Sequence, residues 1–308
     1  MVKIFQKTIK ETIEIEGVGL HTGAKANLCL KPADANFGIK FKRTDVDNSK
    51  NIIEANFKNV SDPILCTKIK NEHGISVSTI EHLMAAFYGE GIDNVLVELN
   101  APEVPIMDGS AFDFVEAIRS YGTLEQKYEK KFIKVLKKIE LKDGPKKISI
   151  EPLLNDLIID LEIVYKNPLI RTRRKEFKFN NSDLSPIYNS RTFCLYEDID
   201  QIKSMGLAKG GSLENAIVVK ENKILNDDGL RYRDEFVSHK ILDCLGDLML
   251  SGYRIIGHIK TSQGGHQLTN ALLREFLLDK SNWEFENFDQ KEEDNKGGNY
   301  VDPVAVGA

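Results

Sequence analysis

The feature that most constrains this chain is that one structural plan occurs in it twice. Residues 78–99, "STIEHLMAAFYGEGIDNVLVEL", read as a helix, a glycine-rich break and a strand. Residues 236–260, "FVSHKILDCLGDLMLSGYRIIGHIK", read the same way, and each helix carries a His early in its course. Before the first comes "TIEIEGVGLHTGAKANLCLKP", which alternates, turns at glycines and alternates again, followed by the strand "FGIKFKR". Before the second comes "KVLKKIELKDGPKKISIEPLLNDLIIDLEIVY", again strand, Gly-containing turn, strand ending in a proline, and strand. Small residues and a second amphipathic helix close each half, in "DGSAFDFVEAIRSYG" and "GGHQLTNALLREFLL". Five elements in matching order predict two copies of one α+β unit, joined around residues 121–130. A first domain over residues 1–125 and a second over 126–283 follow from that joint. Chance similarity among alternating strands is the competing reading.

The second half has extra material, roughly residues 193–232, with a helix end, a Gly-Gly turn, a short apolar strand and an Asn-Asp-Asp-Gly turn. Its small and apolar residues suit a binding lobe, although a surface elaboration fits as well. Residues 284–308 turn charged and then Gly- and Pro-bearing, which predicts a flexible tail. Its small apolar end, "VDPVAVGA", is of a form that ATP-dependent proteases engage, so protease recognition of the tail is a second expectation. Net charge is −5 without a long basic run, which disfavours nucleic acid as a partner. Cys29, Cys66, Cys194 and Cys244 are far apart, as in a protein with reduced thiols. No apolar run is long enough to span a membrane, and the expected location is the cytoplasm.

Within "HKILDCLGDL" the ionisable groups share one stripe of the helix. With His239 at zero, a step of about 100° per residue puts Asp243 near 40°, Asp247 near 80° and Lys240 near 100°. Leu, Ile and Met occupy the opposite side. A solvated face would look similar, yet such faces favour Lys, Glu and Gln over His and Asp. A His and an Asp one turn apart can grip one metal ion. In the matching helix, Glu81 and His82 follow Ser78, which also fits a capping box with Glu81 as its acidic member. If equivalent helices face each other, His82 joins His239 and Asp243 in a three-ligand site with an open position. Zinc and non-haem iron both suit such a set, and local spacing leaves the two open.

The motifs "GVGLHTG", "STIEHLMAAF", "PIMDGSAF", "RTF", "HKILDCLGDL" and "GGHQLTN" follow one another in this chain. In these and in their order, residues 3–283 resemble the bacterial UDP-3-O-acyl-N-acetylglucosamine deacetylases. Those are zinc amidases that carry out the first committed step of lipid A biosynthesis. The resemblance implies an α+β fold of two similar domains, each a mainly antiparallel sheet with two helices, the helices sandwiched between two outer sheets. It implies one catalytic Zn2+ on His82, His239 and Asp243, with Glu81 as general base and His266 as the acid that protonates the leaving amine. Asp247 would pair with His266, Thr192 would stabilise the oxyanion, and Lys240 would stand near the reacting and diphosphate groups. The substrate would be a UDP-linked acyl sugar. The inserted lobe would form an apolar passage for its acyl chain, with Leu195, Leu207, Gly211, Ile217 and Val219 as candidates and Phe193 against the sugar ring. His21 lies in one of the motifs, and its side chain is assigned either to chemistry or to fixing its loop. Two further readings stand beside this one: a related metal amidase for another N-acyl amino sugar, and a non-catalytic sugar-nucleotide-binding protein. The latter would be expected to lack Glu81 or His266.

Overall fold

The computed structural model describes residues 3–47, 49–180 and 182–286. Its two main sheets have the same order. In the first, the strands run Ile13–Val18, Lys25–Pro32, Val95–Leu99, Ile39–Arg43 and Ile52–Glu54. The second orders Ile139–Asp143, Lys146–Glu151, Arg254–Ser262, Leu157–Ile163 and Arg173–Lys178. In each, the central strand is antiparallel to the second hairpin strand and parallel to the strand that follows the hairpin. Period-2 patterning drives the assembly. Ile13 and Ile15 are buried while Glu14 and Glu16 are exposed, so each sheet has one apolar face to cover.

Six helices are present among the described residues: α1 (Glu81–Glu90), α2 (Phe112–Tyr121), α3 (Ser185–Tyr188), α4 (Ile199–Ser204), α5 (Glu235–Met249) and α6 (His266–Leu278). Helices α1 and α2 belong to the first sheet, α5 and α6 to the second, and α1 packs directly on α5. The architecture is thus the expected α+β sandwich, with one apolar core running through both halves. Because α1 and α5 lie at its centre, even their polar residues are buried.

Three local features depart from the sequence reading. Ser78 does not cap α1: its hydroxyl donates to the Pro102 carbonyl, the helix starts at Glu81, and the Glu81 carboxylate is taken up elsewhere. The joint region is itself a strand, Thr123–Glu129, which returns to pair with Phe5–Ile9. Residues 284–286, expected to belong to a tail, are instead part of an edge strand, Trp283–Glu286, against Phe132–Val135. Burial of Trp283 outweighs the charge around it. Residues 287–308, and with them the protease expectation, lie outside the described residues.

Candidate metal centre and active site

The crossing of α1 and α5 is close because Gly246 faces the start of α1. A Cβ there would stand 2.0 Å from the Glu81 carbonyl oxygen. That approach brings the polar stripe of α5 against Glu81 and His82. His82 Nε2 and His239 Nε2 lie 3.5 and 3.3 Å from the same oxygen, Asp243 Oδ1. The two rings stand at 89° with centroids 5.0 Å apart. One ligand atom from each of the three residues falls within 4.8 Å of the others, and all three residues are buried.

The donor set fits a divalent cation on three counts. The Ser190 carbonyl, 3.0 Å from His239 Nδ1, holds a proton on that nitrogen and leaves the Nε2 lone pair facing the cluster. Burial pushes the His239 imidazole down to about 4, so it is neutral at pH 7. Burial alone would raise Asp243, but His239, Lys240 and His82 hold it well below the usual carboxylate range. Two imidazoles and a carboxylate, without a fourth protein ligand among the described residues, match the donor set of a catalytic rather than a structural site. Another grouping, Asp160, Glu176 and His258, sits on the outer face of the second sheet. There Arg174 already engages both Asp160 oxygens.

Beside the candidate metal cluster stands a buried histidine–carboxylate pair. His266, the first residue of α6, has its Nδ1 2.8 Å from Asp247 Oδ2, one turn beyond Asp243 on α5. Its Nε2 lies 3.9 Å from Glu81 Oε1. Burial works against charging this ring, yet Asp247 and then Glu81 and Asp243 outweigh it and push the imidazole up to about 9. Burial raises the Glu81 carboxyl, with His266 and His82 pulling it back. Lys240 donates to Asp243 Oδ2 at 2.6 Å, and Asp243 keeps its ammonium charged against the pull of burial.

Sequence reasoning missed Thr67. Its backbone N–H donates to Glu81 Oε2 at 3.0 Å, its hydroxyl donates to Asp247 Oδ1 at 2.5 Å, and His266 Nδ1 is 3.0 Å from the same hydroxyl. A lone Thr in a loop carries no local signal of this. Cys244, next to the ligand Asp243, is buried in the apolar core.

Thr192 stands on the wall of an apolar cavity of about 400 Å3. Its strand is anchored through Arg191, which donates from Nε to the fully buried Glu235 at 2.9 Å, at the start of the helix that bears His239. Phe193 shares the wall and packs edge-on to Phe236. Of the five expected passage residues, Gly211 lines the cavity, whereas Leu195, Leu207, Ile217 and Val219 do not. Ile217 and Val219 point into the core, and Val218 between them faces the cavity with Ile199, Ile202 and Leu213. Leu195 packs against the core, and Ala208 takes the place expected for Leu207.

An α+β sandwich with a two-His, one-Asp cluster beside a buried His–Asp pair and a second carboxylate is an arrangement that suits a metal-dependent hydrolase. Comparison with known proteins narrows the class: the family model for UDP-3-O-acyl N-acetylglycosamine deacetylase matches residues 6–278. The chain belongs to that family, whose members are metalloamidases. It is 44% identical to the UDP-3-O-acyl-N-acetylglucosamine deacetylase of Haemophilus influenzae (strain PittGG), over 98% of this chain and 99% of that protein. Its identity to the enzyme of the same name from Pasteurella multocida (strain Pm70) is 45%, over 94% of this chain and 95% of the other.

Proposed function

We propose that this chain removes the N-acetyl group of UDP-3-O-acyl-N-acetylglucosamine by hydrolysis, releasing acetate and the free amine, as the committed step of lipid A biosynthesis. The observation that carries the proposal is the convergence of His82, His239 and Asp243 next to Glu81 and the Asp247-paired His266. Within the family reading the resident ion is a single Zn2+. Such an ion, when bound, polarises the amide carbonyl and lowers the pKa of water towards about 7.

The chain's own residues supply the proton transfers. Glu81 takes a proton from the attacking water as the oxygen bonds to the carbonyl carbon. His266, kept charged by Asp247, delivers a proton to the amine nitrogen as the C–N bond breaks. The Thr192 hydroxyl supplies a donor for the developing oxyanion, and Lys240 a fixed cation beside it. Phe193 packs against the sugar, and the acyl chain enters the cavity lined by Gly211 and Val218. Residues 1–125 and 126–283 serve as the two catalytic halves, with residues 193–232 as the acyl-binding lobe. Four unpaired cysteines and the absence, among the described residues, of a helix able to cross a membrane support a cytoplasmic location.

The test is acetate release from the UDP-linked acyl sugar by purified protein, without oxygen, with chelator and after adding back zinc. Chelation should abolish turnover, zinc should restore it, and oxygen should make no difference. Glu81→Gln and His266→Gln should keep their metal and lose on the order of 100-fold or more in kcat. Full activity in either variant would remove these roles.

A further inference from the structure

The ring of His21 has a proton to give and no acceptor for it. His21 belongs to the "GVGLHTG" loop, is 7% exposed, and lines the apolar cavity next to Leu20 and Thr192. Its loop does not depend on the ring. Glu103, fully buried, accepts from the His21 N–H at 2.8 Å, from the N–H and hydroxyl of Thr22 at 2.7 Å each, and from the Thr79 hydroxyl at 2.8 Å. On the other side, the carbonyls of Leu20 and His21 accept from Gly210 and Lys209 of the inserted lobe at 3.0 and 3.2 Å. Backbone and Glu103 therefore fix the loop, and the imidazole is left over.

The tautomer follows from the ring's one contact. Nδ1 accepts the backbone N–H of Ala208 at 3.4 Å, so it holds the lone pair. The ring is neutral, because burial lowers its pKa, with His266 adding to that, more than Glu103 raises it. In a neutral imidazole whose Nδ1 accepts, the proton sits on Nε2. That atom is buried and has no protein partner among the described residues. Buried donors are rarely left unmatched, and such exceptions need a reason. The substrate offers one. Its acyl chain is joined to the sugar through an ester at the carbon next to the one bearing the acetamide. When the chain enters an apolar cavity, that ester carbonyl loses water and has no donor of its own.

We propose that His21 Nε2–H donates to the ester carbonyl of the 3-O-acyl chain, so that the enzyme selects its substrate by the ester as well as by the chain. The proposal rests on the substrate reading given above. It makes His21 a specificity residue at the neck between the reacting amide and the passage. The ring then has no part in proton transfer.

The test compares kcat/KM for the natural ester with that for a 3-O-alkyl ether of the same chain length, which lacks only the carbonyl. For the wild type, the ether should be poorer by roughly 5- to 100-fold, the range expected when a buried donor loses its acceptor. His21→Phe should lose a similar factor on the ester and little more on the ether, with metal content unchanged. His21→Gln, which keeps an N–H at similar reach, should recover part of the ester preference. Equal losses on ester and ether in His21→Phe would overturn the proposal, and so would a wild type that turns over both alike. Wild-type protein with bound metal and no turnover of either compound would remove the substrate reading itself, and the proposal with it.

Discussion

At the scale of residues, Thr67 links Glu81 to the Asp247–His266 pair: its backbone N–H holds Glu81, and its hydroxyl holds Asp247 beside His266. Thr67→Val keeps the shape and the backbone contact but leaves Asp247 and His266 without that hydroxyl. It should lower kcat about 10- to 100-fold with KM and metal content little changed, whereas Thr67→Ser should retain most activity. A Val variant with wild-type kcat would show that the bridge is idle. The pH dependence has a definite sign. In the proposed roles Glu81 must be ionised and His266 protonated, so the rate should climb as pH rises through the elevated Glu81 pKa and fall as it rises through that of His266. The latter stands at about 9, and a bound cation lowers it. Asp247→Asn removes its main support and leaves only Glu81 and Asp243 to oppose burial, so the alkaline limb should move to lower pH. An alkaline limb that stays in place in that variant would mean another group is the acid. His239, Lys240, Asp243 and Asp247 were legible because helical spacing puts them on one stripe. Thr67 was not, because its partners lie 180 and 199 residues away along the chain.

At the scale of elements, the site depends on how closely α5 approaches α1. Gly246→Ala would drive a methyl group into the Glu81 carbonyl, 2.0 Å from the ideal Cβ position, and the backbone there cannot swing aside like a side chain. The crossing must widen, which carries Glu81 and His82 away from His239 and Asp243. Overpacking of this kind costs about 1–3 kcal/mol. Thermal stability, metal affinity and kcat should fall together, and a variant that loses stability alone would show that the cluster tolerates a wider crossing. Both helices were readable from their periodicity, but nothing in "LGDL" shows which backbone its glycine meets. The inserted lobe has the opposite difficulty. In "NAIVVK" four apolar residues stand in a row, so no alternation reveals which of them face the cavity. The choice of Ile217 and Val219 was off by one residue. Parallel pairing of Ile217–Lys220 with Phe193–Leu195 sets Cys194 opposite Val218, and both line the cavity.

At the scale of the whole molecule, the duplication was visible as a repeated order of elements, and five strands of the second sheet repeat the order of the first, with Phe132–Val135 and Trp283–Glu286 added. The joint was less legible, because Thr123–Glu129 pairs back on the first strand of the chain instead of running on as a linker. The two halves do not share the chemistry equally. The first provides Glu81 and His82, the second His239, Asp243 and the His266–Asp247 pair, so neither half alone has the complete candidate ligand set. Ion binding is therefore linked to the packing of α1 on α5. An ion that binds only the folded form adds about 4 kcal/mol of stability at a thousandfold excess over its Kd. Chelation should lower Tm as well as abolish turnover, and zinc should restore both. In His82→Gln the stabilisation by zinc should be largely lost, because the remaining two ligands both sit on α5 and no longer tie it to α1. If zinc raised the Tm of that variant as much as it raises that of the wild type, the ion would not be held across the joint.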